Sequence, residues 1–230
     1  MGHLSSVSPP RRDAMRPAQT TKRIPVFALT GGIGSGKSFV RNALEQRGAY
    51  TADADALART VLGPGAPALA RVVALFGPSV LDDHGCLNRK ALAHVVFNQP
   101  EQRRILEALV HPRVRKLAAL RFAQAQTFSA PYVVYEIPLL VEAEGVQTWD
   151  GIIATYCPFA ERLRRLAARD ATDLASVRAR MRAQAPEVLK VQRSHWVIDT
   201  GVSSVHLQQQ LDELHRLLSR KRSQRRGQRP

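Results

Sequence analysis

The sequence predicts an α/β fold in which a parallel sheet lies between layers of helices. Short and almost continuously apolar segments alternate with helical patterns along the chain, and such segments are typical of strands that are buried on both faces of a parallel sheet. A glycine-rich loop joins the first strand pattern to the first helix. A long helical stretch then interrupts the alternation after the second strand pattern.

The first half of the chain supplies two strands and a helical insertion. Residues 25–30 form the first strand, and the helix FVRNALEQ ends at Gly48, because glycine favours helix termination. The extended segment AYTADAD and the helix LARTVL follow. In the insertion, at about residues 64–128, apolar residues recur at spacings of three and four. We expect a new helix to begin at His111-Pro112, since proline suits the first helical position.

The second half of the chain completes a sheet of five strands. The strand patterns are PYVVYEIP, GIIATY and WVID, and HLQQQLDELHRLL forms a closing helix. Pro158 begins a helix that continues into an arginine-rich stretch at about residues 161–184. We expect residues 23–218 to form the folded domain. Residues 1–22 and 219–230 are rich in basic and polar residues and poor in apolar ones, which predicts two disordered basic tails.

Composition narrows the possible classes of protein. Of 230 residues, 44% are hydrophobic and 23% charged, as in ordinary globular proteins. Cys86 and Cys157 lie far apart, so neither a zinc site nor a disulfide framework is indicated, and a reducing cytoplasm is the expected location. No apolar run approaches the ~18 to 20 residues of a membrane span. Because residues 1–22 carry no structural pattern, Met15 is a second candidate for the natural start.

The segment TGGIGSGKS indicates a nucleotide site. Gly31, Gly36, Lys37 and Ser38 satisfy the pattern G-x4-G-K-S between a strand and a helix. In such a loop the glycines let backbone N–H groups face one phosphate, and the lysine places a positive charge on the transferred group. The hydroxyl of Ser38 is placed to ligate Mg²⁺.

Carboxylates and arginines that follow the loop are candidates for the chemistry. Asp53 and Asp55 are two apart in a predicted extended segment and should share a face. Either one could accept the proton of an attacking hydroxyl, or it could cap the helix that begins near Ala56. Arg165 and Arg169 are four apart on one helix face, and could either be solvated or close over a nucleotide.

The order of motifs resembles the dephospho-CoA kinase family. The matching segments are LTGGIGSGKS, DADALAR, PGAPAL, VLDDHGCLNRKALA, LEALVHPRV, PLLVEA, RLRRLAARD and WVIDTG. The resemblance implies a P-loop kinase with a five-stranded parallel core, a helical CoA-binding insertion and an Arg-bearing lid. It further implies that ATP, with Mg²⁺, phosphorylates the ribose 3′-hydroxyl of dephospho-CoA.

The same resemblance implies roles for individual residues. Asp55 resembles the general base of the family, and Lys37 and Arg165 resemble its catalytic cations. The implied nucleotide site comprises Gly34, Ser35, Gly36, Lys37, Ser38, Phe39, Arg165 and Arg169. The implied acceptor site comprises Thr30, Asp55, Arg89, His111 and Leu139. Thr200 departs from the family, in which an Asn is frequent after the last strand.

Two other functions stay open at this point. Another small-molecule or nucleotide kinase would share the phosphate loop. A nucleic-acid-binding ATPase is suggested by the net charge of +15, because clustered Lys and Arg bind phosphate backbones. Much of that charge lies in the terminal segments, so we expect no specific nucleic-acid partner and no membrane partner. The oligomeric state stays open.

Overall fold

The computed structural model of the chain describes residues 23–97, 99–142, 149–170 and 174–227. Its centre is one five-stranded sheet in the order β2-β3-β1-β4-β5, and every pair of neighbouring strands is parallel. The predicted parallel sheet is therefore confirmed. The strands are β1 Val26–Gly31, β2 Tyr50–Asp53, β3 Val133–Glu136, β4 Gly151–Tyr156 and β5 Trp196–Asp199.

Helices cover both faces of the sheet and form the insertion. Those that precede β3 are α1 Lys37–Gln46, α2 Ala54–Val61, α3 Pro67–Phe76, α4 Arg89–Phe97 and α5 Pro100–Thr127, with a 3₁₀ turn at Pro78–Val80. Those that follow β4 are α6 Phe159–Asp170, α7 Leu174–Arg182, α8 Glu187–Gln192 and α9 Ser204–Gly227. None of the helices in the described part of the chain is long and apolar enough to cross a bilayer.

Alternate residues of β1 point to two different cores. Phe27 and Leu29 pack with leucines of α1 and α9, whereas Val26 belongs to a second cluster with residues of α2 and α5. Both faces of β1 are therefore buried against apolar residues, which explains its continuous apolar sequence. A third cluster joins α3, α4 and the first half of α5, so the insertion has a small core of its own.

The predicted helix start at His111-Pro112 is wrong. Helix α5 runs from Pro100 to Thr127 with Pro112 in its interior, although an interior proline lacks the amide for one helical hydrogen bond. Apolar residues on both sides of the proline account for this result. Leu109 packs in the core of the insertion, and Leu117 packs in the second cluster, against one face of the sheet. Val114 contacts both of these clusters. This burial outweighs the local cost of the proline.

The prediction of a disordered tail from residue 219 is also wrong for residues 219–227. Helix α9 continues to that residue. Leu218 is fully buried in the main core, and the Lys221 ammonium lies 4.6 Å from the Trp196 ring centroid. These contacts extend the helix beyond its apolar pattern, because a lysine stem covers apolar surface while its charge stacks on an aromatic ring. The other predicted tail, residues 1–22, and residues 228–230 lie outside the described residues.

Candidate active site

A polar cavity of about 480 Å³ opens where the strands of the sheet end. The carboxyl ends of β1, β2 and β3 lie side by side at this edge, which is where open α/β sheets bind ligands. The cavity is lined by Ile33, Gly34, Gly36, Lys37, Ser38, Phe39, Asp55, Glu136, Pro138, Arg165, Leu166, Arg169 and Gln184. The structure therefore brings the phosphate loop, one predicted acid and both predicted arginines together.

The phosphate loop, residues 31–38, depends on its glycines. Gly34 and Gly36 have φ values of 79° and 81°, in the left-handed region that glycine adopts without strain. A Cβ at Gly31 would lie 2.2 Å from Thr155 Oγ1, so a larger residue would collide with β4. The loop leads directly into α1, and Gly34, Gly36, Lys37 and Ser38 line the cavity beside the N-terminus of that helix, a position that favours anions.

Lys37 is buried at the base of this cavity. Its Nζ donates to the carbonyl oxygens of Gly31 and Gly32, both at 3.1 Å. Burial lowers the pKa of Lys37, and the charge of Glu136 acts in the opposite direction. The ammonium is thus held inside the loop that would surround a phosphate.

The two aspartates have different roles in the structure. Asp53 ends β2 and caps α2, since its Oδ1 accepts hydrogen bonds from the amides of Asp55 and Ala56. Asp55 lies in the first turn of α2 and lines the cavity. The expectation that both share a face of an extended segment is wrong, because the chain turns into the helix immediately after Asp53. Capping, the alternative role for one aspartate, belongs to Asp53.

The pKa of Asp55 is raised above its ordinary value. Partial loss of water around the carboxyl group is the largest cause, and the negative charge of Asp53 is the second. The charges of Arg59, Lys37 and Arg89 act in the opposite direction. A carboxylate with a raised pKa is a stronger proton acceptor, as a general base requires.

Glu136 is a site residue that the sequence reasoning missed. It ends β3, pairs in register with Asp53, and its side chain is only 6% exposed. Among the described residues its Oε2 has no hydrogen-bond donor, and this oxygen lies 3.5 Å from Nη1 of Arg41, which also contacts Asp53 at 3.0 Å. Burial raises the pKa of Glu136, although Arg41 and Lys37 lower it. The only signal in the sequence was an acid at the end of an apolar strand.

The arginine-rich segment packs directly over the phosphate loop. Leu166, Val177 and Met181 form a small cluster with Ile33 of the loop. Arg165 donates to the side chain and the carbonyl oxygen of Thr200 at 3.1 and 2.8 Å, and Thr200 Oγ1 donates to Ser35 O at 3.0 Å. Thr200, which departs from the family pattern, thus connects Arg165 to the loop. The predicted lid also includes residues 171–173, which lie outside the described residues.

The remaining predicted residues do not line this cavity. Ser35 is buried and its hydroxyl bonds to Thr155 Oγ1, while buried Thr30 donates to the carbonyl oxygen of Pro138. Leu139 is exposed beside Pro138. Arg89 and His111 lie together on a second, mainly apolar cavity of about 280 Å³ in the insertion. Leu62 at the C-terminal end of α2 lines that cavity, whereas Asp55 lies at the opposite end of the same helix.

The residues present suit a magnesium ion that is shared with a nucleotide. No group of three or more His, Cys, Asp or Glu in the described ranges is arranged to hold a metal by itself. Mg²⁺ in nucleotide sites takes one or two protein ligands, and phosphates and water supply the others. Ser38 and Glu136 line the same cavity, and the Glu136 Oε2 accepts no hydrogen bond from the described residues, so the two side chains provide such a donor pair.

Comparisons with known proteins identify similar sequences over most of the chain. A model of the dephospho-CoA kinase family matches residues 25–206. A dephospho-CoA kinase of Moorella thermoacetica is 43% identical over 177 residues, or 76% of this chain and 84% of the relative. A second dephospho-CoA kinase, of Syntrophotalea carbinolica, is 40% identical over 195 residues, which cover 85% of this chain and 91% of the relative.

Solved structures with the same fold give a consistent result. A crystal structure of a Thermus thermophilus protein superposes with a TM-score of 0.72 at 36% identity, and the match covers 86% of this chain and 98% of that one. A dephospho-CoA kinase from Campylobacter jejuni superposes with a TM-score of 0.63 at 25% identity, over 85% of this chain and 98% of that one.

Proposed function

The chain belongs to the dephospho-CoA kinase family, and from this premise we propose how its residues carry out the family's reaction, in which ATP phosphorylates dephospho-CoA to give CoA. One observation supports the assignment of residues above all others. Asp55, Lys37 and Ser38 line a single cavity at the carboxyl edge of the sheet. This arrangement supports Asp55 as the base, Lys37 as the phosphate-binding cation and Ser38 as the metal-ligating hydroxyl.

We assign the donor side of the reaction to the phosphate loop. The amides of the loop and the ammonium of Lys37 bind the ATP phosphates, and Arg165 and Arg169, which line the same cavity, contribute positive charge. Phe39 lies beside them, half exposed, at the mouth of the cavity. When bound, Mg²⁺ supplies charge neutralisation between the phosphates, and Ser38 and Glu136 are the residues that would hold it.

We assign the general base to Asp55. The 3′-hydroxyl of the ribose attacks the γ-phosphorus, the bond from that phosphorus to the β–γ bridging oxygen breaks, and ADP leaves. The hydroxyl proton passes to the Asp55 carboxylate. Asp53 caps α2 and holds the first turn of that helix, and therefore Asp55, in place.

We assign the rest of the acceptor to the second cavity. Helix α2 separates Asp55 from Leu62 by seven residues, or roughly 10 Å of helix. The acceptor carries a diphosphate and an extended pantetheine arm beyond its ribose, so it can reach from one cavity to the other. Arg89 suits the diphosphate, and the apolar walls and His111 suit the arm. Thr30 contributes indirectly by holding the Pro138 carbonyl beside Leu139.

Arg89 provides a test of this acceptor site. The substitution Arg89→Ala is expected to raise the KM for dephospho-CoA about 10-fold, because a hydrogen bond to a charged group contributes about 1.5 to 3 kcal/mol. The KM for ATP should not change. Lys90→Ala is the matched control, since Lys90 is the next residue of α4, is also exposed, and does not line the cavity. Equal effects of the two substitutions would contradict a specific contact.

The reaction itself is tested by ADP release from the purified chain with Mg-ATP. We expect turnover that depends on dephospho-CoA and not on AMP, a nucleoside or RNA. Turnover with another acceptor alone would contradict the proposal. ATP hydrolysis that is stimulated by RNA would favour the alternative of a nucleic-acid-binding ATPase. A cytoplasmic location, the absence of specific nucleic-acid and membrane partners, and a folded domain that begins at residue 23 remain predictions to be tested separately.

A further inference from the structure

Residues 184–190 connect two parts of the active site that come from distant positions in the sequence. We call residues 184–190 the bridge segment and residues 137–142, which follow β3, the β3 loop. The bridge segment contacts the phosphate loop on one side and the β3 loop on the other. None of these contacts has a role in the assignments above.

At its first end the bridge segment holds the peptide groups of Ile33. Gln184 Oε1 accepts the hydrogen bond of the Ile33 amide at 2.7 Å. Arg162 donates to the Ile33 carbonyl oxygen at 2.9 Å and forms a buried ion pair with Glu187. One residue of the phosphate loop is therefore fixed through both its N–H and its C=O, in each case by a group that belongs to or is anchored by the bridge segment.

At its other end the bridge segment holds the β3 loop through Lys190 and Glu142. Lys190 is 1% exposed, and its Nζ donates to Glu142 Oε1 at 2.7 Å and to the Pro138 carbonyl oxygen at 3.3 Å. The Ala185 amide donates to the same carboxylate oxygen at 2.8 Å. Glu142 thus accepts hydrogen bonds from residues near both ends of the bridge segment.

The placement of these bonds indicates a role in positioning the substrates. Gln184 and Pro138 both line the catalytic cavity, the first from the donor side and the second next to Leu139 on the acceptor side. A buried ion pair stabilises a fold little more than apolar residues of similar size would. Its geometry, however, is directional, and it fixes the distance between the two loops that it joins.

We propose that the bridge segment sets the spacing between the phosphate donor and the acceptor, with Glu142, Lys190 and Gln184 as positioning residues for phosphoryl transfer. These residues do not touch the reacting atoms; they act through Pro138 and Ile33. A displacement of about 1 Å can cost as much as roughly 10²-fold in rate. Small shifts of either loop should therefore reduce kcat while each substrate still binds. The proposal rests on the assigned acceptor side of the cavity.

The test uses the full chain, three substitutions in the bridge segment and the β3 loop, and one control substitution. Lys190→Met alone removes the cation that pairs with Glu142, so it is combined with Glu142→Gln to give a neutral pair of similar shape. Gln184→Leu removes the contact at the other end, with Gln192→Leu on an exposed position of α8 as the matched control. We expect the neutral pair and Gln184→Leu each to lower kcat about 5- to 10-fold, with unchanged ADP affinity by calorimetry. Gln192→Leu should have no effect.

Combining the changes distinguishes positioning from general stability. If one segment transmits both contacts, the kcat loss of the triple variant should be smaller than the product of the two separate losses. A lower unfolding temperature with unchanged kcat would overturn the proposal, as would losses that multiply independently. Failure of the wild-type chain to phosphorylate dephospho-CoA would instead contradict the proposed function, so the two failures are distinguishable.

Discussion

Replacement of Asp55 by Asn is expected to lower kcat for dephospho-CoA phosphorylation roughly 10²-fold or more, the usual range for loss of a general base. Asn has the same shape and can still accept a hydrogen bond, but it cannot take up the hydroxyl proton. Lys37 and the loop amides are unchanged in the variant, so ATP should bind as before. Steady-state ADP release and calorimetric titration with ADP measure the two quantities separately.

Asp53→Asn is the matched control for this substitution. Asn caps helices as well as Asp does, so α2 should keep its first turn, and the substitution removes a neighbouring negative charge without removing the base. We expect most of the kcat to remain. If Asp55→Asn retained near-normal turnover, or if Asp53→Asn were the more damaging of the two, the assignment of the base would be wrong.

The pH profile provides a second measurement of the same assignment. A base acts in its deprotonated form, so kcat/KM should fall as the pH drops through the raised pKa of Asp55. Asp53 raises this pKa and Arg89 lowers it. Asp53→Asn should therefore shift the acid limb to lower pH, and Arg89→Ala should shift it to higher pH. If the acid limbs of these two variants moved in the same direction, the electrostatic explanation would be contradicted.

The sequence was sufficient for those parts of the site that are local. The phosphate loop lies within eight consecutive residues, and its spacing predicts both its conformation and its position after a strand. Asp55 was found because it follows a short strand. Its geometry was predicted wrongly, since the pattern does not show that Asp53 ends the strand and begins the helix.

Features that depend on tertiary contacts could not be predicted in this way. Pro112 suggested a helix start, but residues from two separate cores hold the helix together on both sides of it. No sequence pattern assigned a role to Lys190 or Gln184. Only the fold shows that Lys190 is buried against Glu142 and that Gln184 reaches the phosphate loop. Long-range hydrogen bonds leave no periodic signal in a single sequence.

Glu136 illustrates how a functional residue can be hidden by its surroundings. Its strand reads as a buried core strand, and a single acid at the end of such a strand is a weak signal. In the structure Glu136 is buried and lines the cavity, and its Oε2, 3.5 Å from Nη1 of Arg41, accepts no hydrogen bond from the described residues. Burying a charge without full compensation is costly, which suggests that binding of a cation in the cavity is the compensating interaction.

Glu136→Gln is accordingly expected to weaken Mg²⁺ binding to the ADP-loaded protein by about 10- to 100-fold, the range found when groups that support a metal are removed. The concentration of Mg²⁺ needed for half-maximal turnover should rise in proportion. Affinity for ADP without metal should change little, because Lys37 and the loop amides are retained. Calorimetric titration of Mg²⁺ into the ADP complex measures this independently of turnover, and Glu45→Gln, at an exposed position of α1, is the control.

Glu136→Gln also distinguishes a metal-binding role from a structural role, because the two roles predict different changes in Mg²⁺ affinity and in the unfolding temperature. The folded state raises the pKa of Glu136, so above that pKa ionisation favours the unfolded chain, in which the carboxylate is hydrated. The neutral Gln avoids this penalty, and the unfolding temperature near pH 8 should stay equal or rise. Weaker metal binding in a chain that is no less stable is what a metal-binding carboxylate predicts. Unchanged Mg²⁺ affinity together with a marked loss of stability would instead assign Glu136 to the packing of the sheet edge through Arg41.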